Sequence, residues 1–186
     1  MTADGWSPTA IEGVMRRTAV PIADERGAFT ELWRASLTRL LPAETFVQAN
    51  LSRSRPGVLR GMHFHLRQAD LWMLLEGRAL AATTDVRAVM GGTSGSVRSQ
   101  MIEVVPGDSL YIPRLVAHGF WALEETMLLY LVSGEYDGTD EHGFAWNDPV
   151  AAIDWPAGQP ILSDRDRANP TLIEAALRAA ATGRSG

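Results

Sequence analysis

The sequence predicts an all-β fold, an antiparallel sandwich or barrel, on three observations. Short runs of strand-forming residues recur at close spacing, turn-forming residues bound each run, and long helical patterns are nearly absent. In chain order, strands are expected over Thr45 to Ser52, Leu71 to Leu75, Leu80 to Val86, Val97 to Val105, Ser109 to Ile112 and Met127 to Val132. Gly, Pro, Ser or Asp stands at the ends of each. Gly91-Gly92-Thr93-Ser94-Gly95-Ser96 is read as a flexible hairpin rather than a phosphate loop, because no Lys follows it and no helix opens after it. Near the C-terminus, Leu172, Ile173, Ala176 and Leu177 follow Pro170 at helical spacing, which predicts a short amphipathic helix over Thr171 to Ala181 packed on the barrel.

At 186 residues the chain fits a single domain, 1–186, with no visible linker or repeat. That length buries a core without disulfides or a structural metal, so any metal would be functional. The absence of Cys excludes thiolate ligands, thiol nucleophiles and a disulfide framework. All 17 basic residues are Arg, so Schiff-base and lysine acid/base chemistry are excluded too. The first residues, MTADGWSPTA, lack the basic and apolar regions of a signal peptide, and no run has the length of a membrane span. A cytoplasmic protein with no membrane partner is expected. A net charge of −5 gives no global field favouring nucleic acid, although local Arg clusters can still hold phosphates.

The chemistry concentrates in two runs, Leu59 to Gly77 and Gly107 to Phe120. The first places His63, His65 and Asp70, and the second adds His118. In a strand, residues i and i+2 leave the same face, so His63 and His65 are expected to point together into one interior, with Asp70 facing them from the next strand. The pattern H-x-H-x4-D-x6-G followed by G-x5-P-x4-H resembles the signature motifs of the cupins, whose metalloenzyme members hold an ion with three His and one carboxylate. That resemblance implies a double-stranded β-helix, a jelly-roll barrel, with the site inside. One reading of the site is therefore a divalent metal, Fe, Mn, Ni or Zn, on His63, His65, Asp70 and His118.

A second resemblance covers about Ile22 to Leu172. It rests on Asp24 to Glu31, Gln48-Ala49-Asn50, Gly57 to Phe64, Ile112-Pro113, Ala117 to Phe120, Tyr130 with Tyr136, Trp146 to Pro149, Asp154-Trp155-Pro156 and Leu162 to Asp166. In that order these look like the dTDP-4-dehydrorhamnose 3,5-epimerase family, cupin-fold isomerases of deoxysugar nucleotide synthesis. The resemblance implies a cofactor-free epimerisation at C3, C5 or both of a dTDP-4-keto-6-deoxyhexose. A C–H beside a ketone is acidic because its carbanion delocalises into an enolate, so a base can remove the proton and an acid on the other ring face can return one. The base would be His63, its partner Asp166 and the acid Tyr130, with Tyr136 a nearby wall. Arg60 and His118 would line the sugar and phosphate region. Arg26, Phe29, Glu31, Gln48 and Asn50 match positions that hold the nucleotide, some supplied by the partner in a strand-exchanged homodimer. Trp121, Trp146 and Trp155 are read as packing.

The chain departs from that family where a Lys ordinarily stands seven residues before the glycine matching Gly77: here the residue is Asp70. An Asp of the family is Ala81 here, and His65 replaces what is often Gln. In the family that Lys stabilises the enolate oxygen, and such a donor is worth about 3 kcal/mol. Base and metal ligand are exclusive roles for one nitrogen of His63, since a lone pair given to a cation takes no proton. Three functions follow: a divergent epimerase, a metal-dependent isomerase or oxygenase on the same scaffold, and a non-catalytic nucleotide-sugar binder.

Overall fold

The structure is a computed structural model and describes residues 5–38, 45–92, 97–136 and 138–182. The chain enters through β1 (Ser7–Pro8) and β2 (Met15–Thr18), then a hairpin of β3 (Ile22–Asp24) and β4 (Gly27–Phe29). The barrel strands follow: β5 (Gln48–Ser54), β6 (Leu59–Phe64), β7 (Asp70–Glu76), β8 (Ala79–Asp85), β9 (Ser99–Val104), β10 (Asp108–Ile112), β11 (Val116–Ala122) and β12 (Thr126–Val132). After β13 (His142–Gly143) come α2 (Asp164–Arg167) and α3 (Leu172–Thr182), with a one-turn α1 (Arg87–Met90) between β8 and β9.

Two antiparallel sheets form, ordered β1-β2-β10-β7-β12-β5 and β13-β6-β11-β8-β9. From β6 to β8 and again from β9 to β12 the chain shuttles between them, giving the jelly roll that the sequence predicts. Strand alternation decides what lies between the sheets. On β7, Trp72 and Leu74 point inward to a shared core with Leu110, Val116, Phe120 and Leu128, while Leu71 and Met73 pack outward with Trp6 and Tyr111. On the far face of the second sheet, Met62, Phe64 and Ala117 are covered by Phe144 and by Leu172, Ala175 and Ala179 of α3. Helix α3 begins at a reciprocal cap: Glu174 N–H donates to Thr171 Oγ1, and Thr171 N–H donates to the Glu174 carboxylate. Buried Asp148 fixes the same helix start, accepting from Leu172 N–H at 2.9 Å.

All six expected strands and the C-terminal helix are present, with shifted ends; Thr45 to Ser52, for example, becomes Gln48–Ser54. Strands β6 and β11 were not expected as runs, because glycines interrupt Leu59-Arg60-Gly61-Met62 and Ala117-His118-Gly119-Phe120. The segment after β8 opens with α1 rather than a simple hairpin, since the Asp85 carboxylate accepts both the backbone N–H and the guanidinium of Arg87 and turns the chain. Residues 93–96 of the glycine-rich stretch lie outside the described residues. Trp121 packs against Trp146 and Trp155 with ring centroids 6.3 Å apart, as packing residues should.

Candidate active site

A cavity of about 640 Å³ opens between the inner faces of the two sheets. Alternation delivers its lining. On β12, Leu129 and Leu131 pack outward, which turns Leu128, Tyr130 and Val132 into the cavity. On β5, paired to it with Tyr130 opposite Asn50 and Val132 opposite Gln48, the same alternation presents Gln48 and Asn50. On β6, Met62 and Phe64 go to the outer core, so His63 turns inward. His118 sits opposite it on β11. Trp72, Phe120 and Leu128 supply the apolar floor.

His63 and Asp166 form a dyad: Nε2 lies 2.6 Å from the Asp166 carboxylate. Local sequence places that carboxylate, because Ser163 caps α2 by accepting the Asp166 N–H at 3.1 Å, which sets Asp166 in the first turn facing β6. Burial alone would raise the Asp166 pKa. Hydrogen bonding and charge from His63, with further hydrogen bonds from Ser163 and the Gly61 backbone, outweigh it and hold the group below the usual carboxylate value. With Nε2 committed to Asp166, Nδ1 of His63 is the nitrogen left to exchange a proton.

Across the cavity, Tyr130 is half-buried, and burial first, then the Asp70 and Glu141 carboxylates, pushes its phenol above 10.0, so it is protonated at neutral pH. Arg60 lines the cavity, its Nε donating to Ser54 Oγ at 2.9 Å, and Arg53 and Arg165 line it too. Gln48 bridges two neighbours: it donates to Asn50 at 2.8 Å and accepts the Tyr136 backbone N–H at 3.1 Å. Tyr136 stands exposed at the rim.

The expected four-ligand metal set requires correction. Among the described residues His65, Asp70 and His118 come together with ligand atoms within 4.8 Å of one another, and His63 is not of the group. His63 and His65 both line the cavity, as alternation requires, but Nε2 of His63 is held by the Asp166 carboxylate. The Asp140 carboxylate then captures the N–H groups of Leu66 and Arg67, and His65 Nδ1 donates to the Asp140 carbonyl at 2.6 Å. Arg26, Phe29 and Glu31 are likewise not brought to the cavity of this chain. They lie on or beside the β3–β4 hairpin, exposed, with Arg26 paired to Asp24 and Glu31 to Arg34. Glu141 and Arg165, ion-paired at the cavity wall, were missed by the sequence reading, although Arg165 adjoins Asp166 within the run Leu162 to Asp166.

A family model described as dTDP-4-dehydrorhamnose 3,5-epimerase matches residues 8–174. The chain belongs to this family. It is 37% identical over 177 residues to a dTDP-4-dehydrorhamnose 3-epimerase of Streptomyces niveus, covering 90% of this chain and 84% of that one. Among solved structures, a dTDP-6-deoxy-D-glucose-3,5-epimerase of Legionella pneumophila in complex with dTDP-4-keto-L-rhamnose superposes with a TM-score of 0.81 at 31% identity, covering 90% of this chain and 92% of that one. A 3'-monoepimerase of Streptomyces bikiniensis in complex with dTDP-quinovose gives a TM-score of 0.81 at 30% identity, covering 92% and 89%. Membership of the epimerase family accounts for the jelly roll and makes the protein an isomerase-type enzyme. No helix among the described residues is long and apolar enough to cross a membrane.

Proposed function

We propose that this protein is a cytoplasmic epimerase of a dTDP-4-keto-6-deoxyhexose, inverting C3, C5 or both by proton transfer beside the ketone. The observation that carries the proposal is His63 on one sheet, paired with Asp166 of α2, and a protonated Tyr130 on the other sheet, all facing one cavity. His63 takes the proton from the carbon next to the carbonyl, and the C–H electron pair passes into the enolate. Asp166 fixes the imidazole tautomer and stabilises the imidazolium. Tyr130 donates its phenolic proton to the opposite face; solvent then reprotonates the tyrosinate, and the imidazolium of His63 releases the abstracted proton to solvent. Arg60 and His118 bound the sugar and phosphate region, while Gln48, Asn50 and Tyr136 lie along the path of the nucleotide.

A homodimer with exchanged strands supplies what one chain lacks. Among the described residues the β3–β4 hairpin pairs only with itself, and around it Val20, Ile22 and Phe29 are 81%, 71% and 66% exposed. Such apolar exposure marks an interaction surface. On a partner subunit the hairpin would carry Arg26, Phe29 and Glu31 to the nucleotide.

Incubation with dTDP-4-keto-6-deoxyglucose in deuterated water is expected to put deuterium at C3, C5 or both, read as lost proton NMR signals. No exchange at high enzyme concentration, with or without added divalent metal, would sink the proposal and leave a binding protein. The raised Tyr130 pKa adds a pH signature. Because the phenol stays protonated to above pH 10.0, the ratio of inversion to hydrogen washout should hold steady from pH 7 to pH 9 and fall only in more alkaline solution. A ratio already halved at pH 8.5 would remove Tyr130 from the acid role.

A further inference from the structure

We propose that His65, Asp70 and His118 form a binding site for one divalent first-row transition ion, on the cavity floor beside the proton-transfer dyad and separate from it. The three residues are 5%, 3% and 5% exposed, and a ligand atom from each lies within 4.8 Å of the others. The imidazoles are set for the task by their outer nitrogens. His65 Nδ1 donates to the Asp140 carbonyl and His118 Nδ1 to the Val116 carbonyl, leaving Nε2 of each as the ligand atom. A ligand His with its other N–H held by a carbonyl is a recurrent support for a bound metal. The carboxylate is oriented in the same way, with Oδ1 accepting from Gln68 Nε2 at 2.8 Å and Oδ2 from the Trp72 indole at 3.3 Å.

The contact between Asp70 and His118 argues for a cation rather than a satisfied core pair. Oδ2 and Nε2 stand 3.5 Å apart, too far for a hydrogen bond and close to the edge of about 3.4 Å that ligands 2.1 Å from a tetrahedral ion make. Among the described residues, His118 is the only ion-pair neighbour of Asp70, so the buried carboxylate otherwise rests on two neutral donors. A buried charge without a counterion is costly, and a divalent ion supplies one. Two imidazoles and one carboxylate match the donor set of Zn(II), Fe(II), Mn(II), Co(II) or Ni(II) and leave coordination positions open toward the cavity. When bound, the ion supplies Lewis-acid polarisation of an oxygen ligand, a role that rests on the epimerase reading of this cavity, whereas the binding site itself does not.

The test uses full-length protein without an affinity tag, stripped with a chelator and titrated with Co(II), then competed with Zn(II). Wild type is expected to develop visible d–d absorption saturating at one equivalent and to bleach as Zn(II) displaces Co(II). Asp70→Asn and His65→Gln, close in size to the originals, should each weaken Co(II) binding about a hundredfold or more, with circular dichroism unchanged. His63→Asn should keep full stoichiometry, which separates this site from the dyad. Absence of Co(II) bands together with no thermal shift from Zn, Mn, Fe, Co or Ni would overturn the proposal. So would binding that survives both Asp70→Asn and His65→Gln, since the ion would then sit elsewhere. Deuterium exchange by the stripped enzyme tests the epimerase reading independently.

Discussion

Replacing His63 with Asn is expected to lower deuterium incorporation into the 4-keto sugar about a thousandfold, within the range a positioned general base contributes. The substitution keeps a polar side chain of similar reach at the middle of β6, where the strand pairs with β11 through His118, so the barrel should survive it. Asp166→Asn should cost nearly as much. An amide opposite Nε2 leaves the tautomer unspecified and cannot stabilise the imidazolium, and the 2.6 Å contact loses its charge. Because the pair works as a unit, the double variant should be little slower than His63→Asn alone. Tyr130→Phe should behave differently, reducing inversion more than the first loss of substrate hydrogen, since the base makes the enolate and the acid chooses the face. If His63→Asn retained a tenth of the exchange rate, a different base would have to be sought. Glu141, a cavity carboxylate held by Arg165, is one such candidate.

Much of this arrangement was legible because it follows period-two alternation. Once β7 and β12 are strands, the outward packing of Leu71 and Met73, Leu129 and Leu131 forces Trp72 and Tyr130 inward, with no knowledge of the partner sheet. The dyad was not legible from spacing at all. His63 and Asp166 are 103 residues apart, and only the family motifs connected them. Alternation carries past the end of β6 to His65, which lines the same cavity as His63, but it does not show the hydrogen bonds that divide the two imidazoles, His63 to Asp166 and His65 to the carbonyl of Asp140, itself 74 residues downstream of Leu66. Arg26, Phe29 and Glu31 illustrate a different limit: they lie on or beside an exposed hairpin away from the cavity of this chain, and a single sequence carries no mark of the surface that such a hairpin meets. Glycines hid β6 and β11 from a reading based on strand-forming residues, yet those same glycines explain why the two strands meet where they do.

Gly119→Ala is expected to be among the most damaging single-methyl changes in the protein. A Cβ there would lie 2.8 Å from the Arg60 carbonyl, 2.8 Å from Met62 Sδ and 3.1 Å from Gly61 Cα. Two of those obstacles are backbone and the third belongs to a fully buried side chain, so relief requires β11 to move away from β6. The register between them already shifts between His118 and Phe120, which marks the close approach that Gly61 and Gly119 jointly permit. Overpacking of this kind costs about 3 kcal/mol, a fall of roughly 10 °C in Tm for a chain of this size. The same displacement would carry His118 and His63 apart, and a misplacement on the order of 1 Å is worth about a hundredfold in turnover. Both effects should therefore appear together, in a thermal melt and in the deuterium-exchange rate at a temperature where the variant is folded. A variant that melts with wild type and turns over normally would show that β11 yields freely at this point, and that the facing histidines are positioned by something other than the contact between the two glycines.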